Sequence, residues 1–215
     1  CKKYLWLNKF KQELLPKEID DNLQRAFATG YAVEELAYKL YPGGIDAGAG
    51  EIREVIAKSK KLMDDKTPII FQATVSGKEL FCRADIIRYN KALDAWDIIE
   101  VKSATEVKEV YIDDLAFQRI CFEGAGLKVA EVYLVHINNQ YVKNGDINPQ
   151  ELFEVENISA QVEEKKEETE LEIGKALEVL GIKEEPDIQV LRQCKNPYEC
   201  PFIPFCWKDF TEHSI

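Results

Sequence analysis

The residues of this chain best equipped for chemistry are two carboxylates and an amine. Asp85 lies in the apolar run Leu80-Phe81-Cys82-Arg83-Ala84-Asp85-Ile86-Ile87, and Glu100 and Lys102 lie in Trp96-Asp97-Ile98-Ile99-Glu100-Val101-Lys102. Successive side chains of a strand point to opposite faces, so Glu100 and Lys102 share one face while Ile99 and Val101 share the other. If the two runs are neighbours, Asp85 brings a second carboxylate to that face. Two hard oxygen ligands beside a lysine suit Mg²⁺ and an activated water, which is the equipment of phosphodiester cleavage. The ordinary alternative is a cross-strand ion pair on a solvated face. The apolar flanks argue against it, because they predict a strand covered on both faces, where charges are seldom placed without partners.

A second group is the set of cysteines at positions 1, 82, 121, 194, 200 and 206. Cys194, Cys200 and Cys206 are evenly spaced in a Pro- and Phe-containing tail, and three thiolates need a fourth donor for a tetrahedral zinc or a cubane iron–sulfur cluster. Cys1 is the choice for that donor. Reduced, unliganded cysteines are the third option, and structural disulfides are disfavoured in the reducing compartment expected for this chain. Cys82 and Cys121 fall in apolar patterns and read as small core residues.

The elements that must position these groups follow from periodicity. Apolar residues recur from Ile19 to Leu40 at helical spacing until Pro42-Gly43-Gly44 stops them, and a second amphipathic helix is predicted from Glu51 to Met63. Strands are predicted over Ile69 to Val75 and Glu79 to Tyr89, joined at Ser76-Gly77-Lys78, and over Ala95 to Lys102. A helix over Ile112 to Gly126 and a β-rich run over Lys128 to Asn138 then imply a right-handed parallel crossover. Asn157 to Leu180 reads as a long charged helix, and Pro186 to Ile215 as a compact tail. The fold class expected is α/β.

The chain has 215 residues, 46% of them hydrophobic and 31% charged, which is ordinary for one globular domain. No stretch approaches the length of a membrane helix, and Cys1-Lys2-Lys3-Tyr4 opens without a signal region, so a cytoplasmic protein without membrane partners is expected. The missing initiator Met implies a trimmed chain or a start inside a longer protein. A net charge of −11 argues against a protein that coats nucleic acid, yet it leaves room for a nuclease whose carboxylates hold metal.

Asp85, Glu100-x-Lys102, the later Gln118, the strand order, and a first cysteine far from a C-terminal trio together resemble the PD-(D/E)XK nuclease superfamily. The nearest branch is that of the RecB-like nucleases with an iron–sulfur cluster, which includes the CRISPR-adaptation exonucleases. The runs Cys1-Lys2-Lys3-Tyr4-Leu5-Trp6-Leu7 and Asn196-Pro197-Tyr198-Glu199-Cys200-Pro201-Phe202 more narrowly resemble an uncharacterised bacterial RecB-like domain family. The resemblance implies one nuclease domain over residues 1–215, with a restriction-endonuclease-like core at 19–155 and with 1–10 and 186–215 packed together as cluster-binding ends.

It also implies site residues. Those matching Asp85 and Glu100 bind Mg²⁺ or Mn²⁺, the main-chain carbonyl of Val101 completes the metal shell, and Lys102 positions water. Gln118 matches a helix-borne Gln of the family, although Phe122 stands four residues on where Tyr is usual. The first-helix histidine of many relatives is absent from Gly30-Tyr31-Ala32-Val33-Glu34-Glu35, and Glu35 is expected to replace it, with Glu34 next. Cys1, Cys194, Cys200 and Cys206 would bind a four-iron, four-sulfur cluster, with Zn²⁺ the alternative. The activity implied is a Mg²⁺- or Mn²⁺-dependent deoxyribonuclease, exonuclease-like on DNA ends or single strands. The alternative is a catalytically silent nucleic-acid or protein adaptor. Of the two histidines, His136 is expected to pack or to line the cleft.

Overall fold

Consecutive runs rich in β-branched residues and separated by short connections favour pairing of sequence neighbours in one sheet. A computed structural model describes residues 1–16, 21–77, 79–188, 192–196 and 199–208, apart from the side chains of Asn22, Leu23 and Gln193. Ile19, Lys78, Pro197, Tyr198 and Ile215 lie outside the described residues. The chain divides into two compact units, Gln24–Thr169 and the paired ends Cys1–Leu23 with Glu170–Ile215.

In the first unit, strands β1 (Ile45–Asp46), β2 (Ile69–Gly77), β3 (Leu80–Asn90), β4 (Ala95–Lys102), β5 (Val129–Ile137) and β6 (Phe153–Asn157) form one mixed sheet in sequence order. The β2–β3–β4 meander is antiparallel, and β5 lies parallel to β4 after a crossover through helix α4 (Glu109–Gly124). β6 closes one edge antiparallel to β5, and the two-residue β1 closes the other, parallel to β2. The expected order of helix, helix, three strands, helix and strand is therefore present, as a mixed α/β architecture.

Both sheet faces are covered. Helix α2 (Asp21–Tyr38) packs Val33 and Ala37 with Phe71, Ile86, Ile99 and Val135. Helices α3 (Ile52–Asp64) and α4 cover the other face, over Ile70, Ile87, Ile98 and Leu134. Ile86, Ile87, Ile98 and Ile99 are all fully buried, and each contributes roughly 1.5–3 kcal/mol of transfer free energy. The expectation that Cys82 and Cys121 are core residues matches their places in the α4-side cluster.

The alternation of faces breaks once, in two strands together. Ile86 belongs to the α2 side and Cys82 to the α4 side although both are even-numbered, and Phe71 and Ala73 divide in the same way on β2. The break falls at Gln72 and Asp85. Gln72 has a left-handed φ of 54°, an uncommon conformation for a residue other than glycine, and Phe71↔Ile86 and Ala73↔Ala84 pair on either side of it.

The second unit joins the two ends of the chain. Helix α1 (Lys2–Phe10) buries Trp6 and Leu7 against Val179 and Phe202, where Val179 belongs to the last turns of helix α6 (Ser159–Gly181). The Trp6 indole N–H donates to the Ile182 carbonyl at 3.0 Å, and Lys3 pairs with Glu185 at 2.7 Å. Helix α5 (Pro149–Leu152) in the first unit and helix α7 (Ile203–Cys206) in this one are single turns. No helix among the described residues is long and apolar enough to cross a membrane.

Candidate active site

The β3–β4 backbone ladder ends at Ile86 opposite Ile99, and Asp85 and Glu100 stand one step beyond that last pair. There the side chain takes over from the backbone, because Asp85 Oδ2 accepts the Val101 main-chain N–H at 2.9 Å. The other oxygen, Oδ1, accepts from Gln72 Nε2 at 3.3 Å. The left-handed turn at Gln72 aims its amide inward, where it also donates to a Glu34 carboxylate oxygen and lies 3.2 Å from the Tyr38 hydroxyl. Tyr38 in turn donates to Glu34. Glu34 and Asp85 are thus joined through one amide.

Glu100 is only 6% exposed and fully engaged. Its Oε1 accepts from Lys102 Nζ at 2.7 Å and its Oε2 from Gln118 Nε2 at 2.9 Å. Lys102 also donates to Asp114 Oδ2 at 2.8 Å and lies over the Tyr111 ring, 5.6 Å from its centre. Both Asp114 and Gln118 project from α4, the crossover helix, so the same element that makes the parallel connection fixes the lysine and the glutamate.

Lys102 thus sits between Glu100 and Asp114, with Asp85 close enough to feel its charge and Glu34 linked to Asp85 through Gln72. Burial pushes the Asp85 carboxyl well above its ordinary value, Glu100 and Glu34 push it further, and the Val101 N–H and Lys102 oppose the rise. Burial also raises Glu100, against the pull of Lys102. Burial disfavours the charge on Lys102, but Glu100 and Asp114 outweigh it and hold the ammonium above its usual range. The carboxylates outnumber the one ammonium among them, and Gln118 Oε1 is buried without a hydrogen-bond partner among the described residues, a donor set that could hold a cation. All the acceptors are hard oxygens, which fits Mg²⁺ or Mn²⁺.

The structure separates the two glutamates that the sequence left adjacent. Glu34 is half-buried and carries the link to Asp85, whereas the exposed Glu35 lines the open cavity beside it with Tyr31, Asp46, Gly48 and Gln72. The preference for Glu35 lacks a hydrogen-bonded route to Asp85 among the described residues. Gln118 is buried and bonded to Glu100 rather than exposed on its helix, and Phe122 is fully buried in the core. Val101 contributes its N–H to Asp85.

Three participants went unread in the sequence: Gln72, Tyr38 and Asp114. Asp114 carried a signal, since it stands four residues before Gln118 and so on the same helical face. Asp97, three residues before Glu100, serves a different purpose. It faces the α2 side, 1% exposed, and holds Arg88 through contacts of 3.0 and 2.8 Å.

In the other unit, Cys1, Cys194, Cys200 and Cys206 line one small cavity with Lys3, Tyr4, Leu7, Ile188, Phe202 and Ile203. The tail turns on itself to do this, with Cys200 N–H donating to the Cys194 carbonyl at 2.8 Å and Cys206 N–H to Phe202 at 2.9 Å. Burial raises the Cys206 thiol, Lys3 opposes this, and the neighbouring Cys200 and Cys194 add to it.

No protein-family model matches the chain. The comparison with curated proteins gives no match either. Among solved structures, an alkaline exonuclease from Laribacter hongkongensis is similar at 13% identity and a TM-score of 0.31, over 83% of this chain and 90% of that one. A protein designated SSO0001 is similar at 15% identity and a TM-score of 0.28, over 97% of both chains.

Proposed function

We propose that this protein is a divalent-metal-dependent nuclease that hydrolyses DNA phosphodiester bonds, acting exonuclease-like on ends or single strands. The observation that carries the reading is the convergence of Glu34 from α2, Asp85 from β3 and Glu100 from β4 around Gln72 and Lys102, with more buried negative charge than the site's own cation neutralises. An adaptor that had lost its chemistry would have no need to keep these carboxylates desolvated.

Glu34, Asp85 and Glu100, with the Val101 carbonyl, would hold Mg²⁺ or Mn²⁺, and Glu35 would stand at the rim. When bound, the ion supplies a water of lowered pKa and neutralises charge on the scissile phosphate. Lys102, pinned between Glu100 and Asp114, offers a fixed ammonium to the attacking water or to charge developing on a phosphate oxygen. Gln118 holds Glu100 in one orientation, and Gln72 does the same for Asp85 and Glu34. Their role is positioning.

The four cysteines would hold a four-iron, four-sulfur cluster with a structural role. Four thiols around one cavity with an apolar wall of Tyr4, Leu7 and Phe202 fit that donor requirement.

A time course on end-labelled single- and double-stranded DNA, with Mg²⁺ or Mn²⁺ and with Asp85→Asn as control, tests the reading. Shortening from one end that requires the metal and Asp85 is expected. Product that persists in the variant, or no product with either metal, would sink it.

A further inference from the structure

We infer that His136, Glu154 and Glu156 form a second divalent-cation site, preferring a first-row transition ion such as Mn²⁺ to Mg²⁺, at the β5–β6 margin one strand from Lys102. The placement follows from register. His136 is the β5 partner of Lys102, and Glu154 is the β6 partner of His136, so the three lie side by side on one face of the sheet. Glu156, two residues along β6, is on the same face.

The geometry gathers one ligand atom from each residue within 4.8 Å. His136 Nε2 lies 2.6 Å from Glu156 Oε1 and 4.0 Å from Glu154 Oε2. The imidazole is 2% exposed, while the two glutamate side chains are 47% and 52% exposed, so the site is anchored in the sheet and open outward. His136 Nδ1 lies 3.4 Å from the Ile137 carbonyl. The tautomer that donates there leaves a lone pair on Nε2, as metal-ligating histidines require.

A plain cross-strand hydrogen bond accounts for less of this. One ring nitrogen satisfies one carboxylate, yet two converge on it, and neither glutamate has another partner among the described residues. A cation resolves that surplus of negative charge. One imidazole with two carboxylates suits Mn²⁺, Fe²⁺ or Zn²⁺ better than Mg²⁺, which prefers an all-oxygen shell. Three protein donors leave further coordination positions for water or for a phosphate oxygen. If the nuclease reading holds, on which this last step rests, an ion there would grip a phosphate next to the one held at Lys102.

The test is Mn²⁺ binding to chelator-stripped full chain, read by electron paramagnetic resonance. The background is Asp85→Asn/Glu100→Gln, which silences the first site. One bound Mn²⁺ with nitrogen hyperfine coupling is expected. Adding Glu154→Gln and Glu156→Gln, both exposed and conservative, should weaken it at least about tenfold. Loss of all Mn²⁺ from the background variant, or binding unchanged by the glutamine substitutions, would overturn the site. Glu154-dependent Mn²⁺ in this background, with no DNA cleavage by the parent chain under Mg²⁺ or Mn²⁺, would support the site and overturn the nuclease reading alone.

Discussion

Asp85 holds the main-chain N–H of Val101 at 2.9 Å, so a side chain continues a ladder that the backbone has stopped making. This separates the fold from the chemistry at one position. Near about pH 4, Asp85→Asn keeps a carbonyl oxygen for that N–H and should unfold within about 1 kcal/mol of the parent. Asp85→Ala leaves a buried donor unpaired and should lose about 1–3 kcal/mol. Denaturant titration of the two variants checks the difference, and both should lack metal-dependent cleavage.

Glu34→Gln is expected to weaken Mg²⁺ or Mn²⁺ binding more than Glu35→Gln, because only Glu34 shares the Gln72 amide with Asp85. Calorimetric titration of both variants decides it. A larger effect at Glu35 would mean that the helix turns its other carboxylate to the ion.

Lys102→Ala removes the cation that holds Glu100 and Asp114 together. Cleavage should fall by at least about 10²-fold, and combining it with Glu100→Gln should cost much less than the product of the two effects. Rates near the parent's, with contaminating nuclease excluded, would reduce the pair to a structural ion pair.

The raised carboxyls give a pH dependence of defined sign. A carboxyl whose folded pKa lies above its unfolded value contributes stability that is full below the ordinary range, near about 4, and is lost as pH rises through the folded value. Asp85 and Glu100 both shift that way. In chelator, Asp85→Asn should therefore gain stability relative to the parent as pH increases from about 4, and added Mn²⁺ should close the gap. Denaturation curves at a series of pH values measure it. A difference independent of pH would show that Asp85 titrates normally.

Replacing any of Cys1, Cys194, Cys200 or Cys206 with Ser should lower iron content and the visible absorbance of anaerobically purified protein. Cys82→Ser and Cys121→Ser should leave the iron unchanged, since both lie in the core of the other unit. Stoichiometric zinc without iron in the parent would reject the cluster and keep the four-cysteine tie.

Glu100 and Lys102 were legible because a strand of period two puts them on one face, and the apolar flanks marked that strand as covered. Gln72 was not. Its role depends on a reversal of faces that β2 and β3 make together, and a neutral residue inside an apolar run carries no sign of it. Glu34 and Glu35 could not be separated, since the phase of a helix is set by what it packs on, here Phe71 and Ile86 beneath Val33 and Ala37. β6 could have been read, because Phe153-Glu154-Val155-Glu156 alternates cleanly. The pair Ile45–Asp46 is too short for any period to show.

The two edges of the sheet differ in what they offer for pairing. β1 offers only two residues for pairing, and β6 is exposed beyond Phe153, with Glu154 and Glu156 along it. A free strand edge invites a neighbour's backbone, and shortness or like charge discourages it. Two copies approaching through β6 would bring four glutamates together, so this protein carries its own deterrent to sheet-to-sheet aggregation. A divalent cation bridging those carboxylates would weaken the deterrent, which makes colloidal stability at high Mn²⁺ a property governed by the β6 edge.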